Sequence, residues 1–256
     1  MPRAYSGYPR RRLFSADYFT NGVKWLIIVN TVVFLLMMSR TVMQHILVLA
    51  LTPDTVVHNF TVWQLVTYMF LHAGIFHILF NMLMLWMFGA PIEDTWGTRR
   101  FLQYYFICGV GAALCVIAAD FAFADPLRPL IGASGAIFGL LLAYGVLFPD
   151  QTVLMMFLFP IKAKYMVMIY GVIELLLVFR IESPVSSLAH LGGMLFGYAF
   201  IKWQFGSRRR RPAYASGRGF SFDLERRWKE YKLQRARRKF QVYLKKHGSD
   251  RNPWEQ

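Results

Sequence analysis

Six long apolar runs, almost free of Asp, Glu, Lys and Arg, fill the chain between residues 25 and 205 and restrict what it can fold into. They are Trp25 to Met38, Tyr68 to Phe88, Phe101 to Phe123, Leu130 to Phe148, Tyr165 to Phe179 and Val185 to Phe205. A bilayer core takes about 20 apolar residues of helix. A helix also satisfies its own backbone groups where no water can. The first and fifth runs are short and need their flanks to cross. Composition agrees, with 56% hydrophobic and 17% charged residues against about 25% charged in soluble domains. The expected fold class is an all-α polytopic membrane protein, a bundle of six transmembrane helices. Thr152 to Pro160 is apolar but too short to cross, and with Lys162 and Lys164 after it reads as a loop or re-entrant piece. Arg3, Arg10, Arg11 and Arg12 precede the first run and no small-residue cleavage site follows it, so that run is expected to be retained rather than cleaved as a signal.

Loop charge sets the orientation. With the N-terminus in the cytoplasm, that side holds the four N-terminal arginines, Lys24, Arg99, Arg100, Lys162, Lys164, Lys202 and everything beyond, whereas the outer side holds only Arg40, Arg128 and Arg180. Six crossings return the C-terminus to the cytoplasm. Three regions follow: a basic cytoplasmic segment 1–24, a membrane domain 25–205, and a basic cytoplasmic tail 206–256. The tail carries 16 Lys or Arg against 5 Asp or Glu, so +11 of the chain's +15 lies there. Asp223 to His247 reads as a helix without one apolar stripe. Its partners are expected to be water or the anionic lipid headgroups of the bilayer, and no nucleic-acid motif accompanies the charge. The expected location is a prokaryotic plasma (inner) membrane, as a multi-pass protein.

Ionisable and polar residues inside a membrane are costly and point to function. The fourth run holds Gly132-Ala133-Ser134-Gly135, and Gly135 and Gly139 form a GxxxG pair. The sixth holds Ala189-His190, with a second GxxxG pair at Gly193 and Gly197. A lone helix serine often bonds only the carbonyl one turn back, and small residues often only pack. If the two glycine faces pack together, however, Ser134 and His190 meet. Both runs enter from the outer side, and at 1.5 Å per residue both residues lie roughly 5–10 Å inside. The second run also enters from outside. Its His77 and Asn81, spaced i and i+4, share a helix face in the same layer. Serine nucleophile, histidine base and amide or imidazole donors for an oxyanion are the parts of a serine protease. No H-E-x-x-H is present, so neither a metal nor a cofactor is expected. No acidic residue neighbours Ser134 or His190 in sequence; Asp120 and Asp125 fall in an outer loop and Glu174 deep in the fifth run. The site therefore reads as a Ser–His dyad without an evident orienting carboxylate.

Taken together, Trp63-Gln64, His72-x4-His77-x3-Asn81, Glu93 with Gly97, Gly132-Ala133-Ser134-Gly135 and Ala189-His190-x2-Gly193-x3-Gly197 resemble the rhomboid family of intramembrane serine proteases. The resemblance covers most of residues 60–200. It implies a six-helix bundle with a water-filled cavity open to the outside, and transmembrane proteins as substrates. It further implies Ser134 as nucleophile, His190 as base, His77 and Asn81 lining the oxyanion hole, and a structural role for His72. Phe138 stands where the family often has a tyrosine stacked on the base. Gln64 stands where the family often has an arginine, which puts arginine-mediated anchoring of the first loop in question. Two rival readings remain. One is a catalytically inactive rhomboid-like protein that binds membrane clients, although such relatives lose the serine or the histidine. The other is a transporter or channel of unrelated fold.

Overall fold

The computed structural model describes residues 19–206, apart from 124, 156–157 and 180–183. The expected tail, with its helix over residues 223–247, and residues 1–18 lie outside the described part. The first run forms α1 (Asn21–Met37). Short helices α2 (Arg40–Ile46), α3 (Pro53–His58) and α4 (Gln64–Thr67) build the long segment after it. The second run becomes α5 (Ile75–Met84) and α6 (Ala90–Trp96), joined without a break by a π-helical turn over Leu85–Gly89. Then come α7 (Thr98–Phe123), α8 (Ser134–Leu147), α9 (Ala163–Val178) and α10 (Pro184–Gly206). Each apolar run thus falls on a helix. Two continuous helices, Ile75–Trp96 and Thr98–Ala122, are long and apolar enough to cross a membrane by length and composition alone.

Three boundaries differ from expectation. The second helix starts at Ile75 rather than Tyr68, because Leu71 to Gly74 is non-helical and Gly74 is fully extended at the N-cap. The same helix continues past Phe88 to Trp96. Pro91 lacks an N–H and its ring crowds the carbonyl a turn back, and the π-turn immediately before it absorbs the strain. The fourth helix starts at Ser134 rather than Leu130. Leu130 instead pairs with Leu51 in a two-bond antiparallel bridge, and Gly132, at φ +123°, turns the chain into the helix. Finally, the fold is not wholly helical. Residues 152–162 form an antiparallel hairpin, β1 (Thr152–Met155) on β2 (Phe159–Lys162), with Thr152 opposite Lys162. Lys164 pins its base to Asp150 at 2.6 Å.

The bundle is inside-out relative to a water-soluble protein. Trp25, Leu35, Phe76, Leu79, Val172, Leu176, Leu195 and Trp203 are exposed, while Asn30, Gln64, His72, Asn81, Glu93 and Glu174 are buried. Contiguous exposed apolar surface on this scale belongs in lipid, and the chain is an integral membrane protein. The buried polar groups organise it. The Glu93 carboxylate accepts four hydrogen bonds, from Thr20 Oγ1 (2.5 Å), the Gly22 and Val23 amides (2.7 and 2.9 Å) and Thr98 Oγ1 (2.6 Å). It thereby satisfies two of the free N–H groups at the start of α1, the role a capping side chain plays. Gln64, where the resemblance led to an arginine, anchors the first loop by its own amide. Its Oε1 accepts from the Thr52 amide and Thr55 Oγ1, and its Nε2 donates to the Val48 carbonyl.

Candidate active site

Helices α7, α8 and α10 pack most closely among the helices, and glycine sets their spacing. A Cβ on Gly193 would strike the Gly135 carbonyl, and one on Gly139 would strike Cys108 Sγ and approach the Gly193 carbonyl. A Cβ on Gly135 would lie 3.3 Å from the Ala189 carbonyl, and one on Gly197 would strike the Tyr104 hydroxyl. The two GxxxG faces therefore meet as expected, with α7 filling the groove. Cys108 is buried against Gly139 and Gly197, and Cys115 against Gly192; both thiols are free.

This close approach joins residues 56 positions apart. His190 Nε2 lies 2.8 Å from Ser134 Oγ. Phe138, one turn after the serine, stacks flat on the imidazole at 4.1 Å between centroids and 7° between planes. The ring thus fixes the plane of His190 without any hydroxyl. Ser134 opens α8, so its backbone N–H is among those without an intrahelical acceptor.

α5 supplies the other wall. The His77 ring stands over Gly132: a Cβ there would lie 2.8 Å from His77 Nε2 and 3.9 Å from Ser134 Oγ. That packing and the positive φ both require glycine at 132. On its other side, His77 Nδ1 accepts the Ala73 amide at 3.4 Å, which leaves Nε2 to carry the proton in the neutral ring. That N–H and Ser134 Oγ flank the same point over Gly132. Asn81, one turn on, is buried. His72 lies outside the helix and is buried, its ring edge-on to His77 at 4.9 Å. Neither of its ring nitrogens has a hydrogen-bond partner among the described residues.

One expectation is corrected here. The site is not without a carboxylate: Glu174 Oε1 of α9 lies 3.0 Å from His190 Nδ1, on the side of the ring opposite Ser134. The approach falls short of hydrogen-bond geometry and is a close contact that becomes an ion pair when His190 is protonated. Tyr170, one turn earlier on α9, packs edge-on to Phe138. Sequence reasoning placed Glu174 only as deep in the fifth run, although a signal for its place was present. Residue 174 lies near the end of α9 and residue 190 near the start of α10, the next helix in the chain, so the two side chains can reach the same level. Among the described residues no cluster of His, Cys, Asp or Glu is suited to hold a metal ion.

Comparison with known proteins extends these findings. Residues 59–206 match the model of the rhomboid domain. The chain is 35% identical to RHOMBOID-like protein 1 of Arabidopsis thaliana over 171 residues, 64% of this chain and 41% of that protein. It is 37% identical to the rhomboid protease GluP of Bacillus subtilis over 136 residues, 53% of this chain and 25% of that one. It is 30% identical to rhomboid-like protease 3 of Toxoplasma gondii over 145 residues, 56% of this chain and 52% of that one. The chain thus spans about half or less of the length of these relatives.

Proposed function

The chain belongs to the rhomboid family, and from that premise we propose that it is a serine endopeptidase that cleaves transmembrane segments of other membrane proteins. The observation that carries this reading is the 2.8 Å contact between His190 Nε2 and Ser134 Oγ, held under the Phe138 ring. In the proposed reaction Ser134 Oγ attacks the scissile carbonyl carbon while its proton passes to His190 Nε2. The carbonyl oxygen takes the negative charge and is met by His77 Nε2–H, the Asn81 amide and the Ser134 backbone N–H. Collapse of this intermediate breaks the C–N bond, and the same proton leaves on the amine product. Water, deprotonated by His190, then releases the acyl group and restores Ser134.

Six crossings with both ends in the cytoplasm complete the proposal, supported by the charge asymmetry of the loops and by a helix at each apolar run. The membrane domain is residues 25–205 and the compartment a prokaryotic plasma membrane. The basic tail adheres to anionic lipid, which binding of a 207–256 peptide to anionic vesicles, weakening with salt, would test. Substrates are helices weakened near a small residue, in line with the family resemblance.

The test is cleavage of transmembrane substrates in proteoliposomes. Wild-type protein is expected to produce fragments that Ser134→Ala and His190→Ala do not, with all three proteins equally folded. Equal cleavage by Ser134→Ala would refute the reading.

A further inference from the structure

Within this reading of the site, we propose that Glu174 is the positioning carboxylate of His190, so that the working unit is Ser134–His190–Glu174 rather than a two-residue dyad. Three observations carry it. Glu174 Oε1 lies 3.0 Å from His190 Nδ1 while Ser134 Oγ lies 2.8 Å from Nε2, so nucleophile and carboxylate occupy opposite ends of one imidazole. Glu174 is buried, on a helix whose neighbouring side chains Val172, Leu175 and Leu176 are exposed to lipid. A carboxylate in that setting is costly without a partner, and the group set against it is His190 Nδ1, at 3.0 Å. The ring itself is constrained from three directions: Phe138 fixes its plane, Ser134 its Nε2 edge and Glu174 its Nδ1 edge.

The chemistry follows from these positions. A neutral imidazole carries one proton, on either nitrogen, and only the Nδ1–H form presents a lone pair to Ser134 Oγ–H. A carboxylate beside Nδ1 selects that form. When Nε2 takes the serine proton, the imidazolium stands against an existing negative charge. The proton later moves from Nε2 to the leaving amine, and Glu174 gains none. Modest rotation of the His190 ring, or of the Glu174 side chain, converts the close contact into a direct Nδ1–H···O bond once substrate fills the cavity; catalytic contacts often tighten in this way. The Ser187 side chain, one turn before His190, also lies beside Glu174.

The test uses the full-length protein in proteoliposomes and three readouts: substrate cleavage, the rate at which a fluorophosphonate labels Ser134, and the ¹⁵N spectrum of the histidine resonance that His190→Gln removes. In wild type the spectrum should show the proton on Nδ1. Glu174→Gln keeps shape and polarity but can donate to Nδ1, favouring the wrong tautomer. It should lower kcat at least about 10-fold, toward the roughly 10⁴-fold reported for the equivalent change in a soluble triad. KM should stay within about threefold, Ser134 labelling should slow in step, and Nδ1–H should be lost. Glu174→Asp, a shorter carboxylate, should recover part of the rate. Unchanged kcat and tautomer in Glu174→Gln would overturn the proposal and return Glu174 to helix packing. If Glu174→Gln proved unstable, wild-type protein with its proton on Nε2 would overturn it equally, and one with Nδ1–H together with partial activity in Glu174→Asp would support it. Wild-type protein that neither cleaves nor takes the label would instead refute the protease reading, a result distinct from any of these.

Discussion

Asn81 and Gln64 are both buried amides in the polar interior, yet they differ in what their hydrogen-bonding groups do. Every group of Gln64 is engaged by the first loop: the Thr52 amide and Thr55 hydroxyl on its oxygen, the Val48 carbonyl on its nitrogen. Replacing it with leucine leaves the Thr52 amide and the Val48 carbonyl without this partner, at about 1–3 kcal/mol each when buried, while Thr55 keeps its bond to the Thr52 carbonyl. Gln64→Leu should therefore lower the thermal unfolding midpoint while leaving the chemistry of the surviving folded protein unchanged. For Asn81 the expected loss is in rate rather than stability. Asn81→Ala should lower kcat by roughly 10²–10³ with little change in KM, because an oxyanion donor acts only in the transition state. A pure KM effect would return Asn81 to a packing role. Asn81 could be picked out from sequence, since an amide in an apolar run is conspicuous, whereas Gln64 lies before the second run and was marked only by the family resemblance. The anchoring role of Gln64 was not readable, because its partners Val48 and Thr52 lie in a segment without periodicity. Glu174 stayed unassigned for a related reason: it sits 16 residues from His190, and only the α9–α10 hairpin brings them level.

At the scale of elements, the decisive contact is α8 on α10. The Gly135 carbonyl lies where any side chain on Gly193 would begin, and backbone cannot move aside as a side chain can. Gly193→Ala should cost the 1–3 kcal/mol typical of overpacking or more, and it should also part Ser134 from His190. Fluorophosphonate labelling of the folded fraction is expected to slow by more than the loss of stability alone removes; a fall in stability with undiminished labelling would show that the glycine face does not set the catalytic distance. This pairing was legible because two GxxxG faces on runs entering from the same side can align in few ways. Element boundaries were less so. Apolar character continues across Tyr68–Gly74 and Leu130–Ala133, and hydropathy does not distinguish a helix from the extended backbone that the Leu51–Leu130 bridge holds. The hairpin at residues 152–162 was missed likewise, since four-residue strands leave little pattern to read.

For the whole molecule, an apolar exposed shell surrounds an interior that holds the buried polar groups. The charge bias of the loops predicts that a cysteine introduced at Arg128 is modified by impermeant reagents from outside the cell, and one introduced at Lys162 only after the membrane is opened. The reverse pattern would invert the topology and place the site on the cytoplasmic side. A helical membrane bundle and the meeting of Ser134 with His190 were both readable because a membrane amplifies the signal: every polar residue in an apolar run demands a reason. The most direct test of the central claim is covalent labelling of the reconstituted, full-length protein by a fluorophosphonate, followed by mapping of the modified peptide. The account predicts one modified residue, Ser134, with labelling abolished in Ser134→Ala and in His190→Ala. Folded wild-type protein that takes no label, or label that persists in Ser134→Ala, would contradict it.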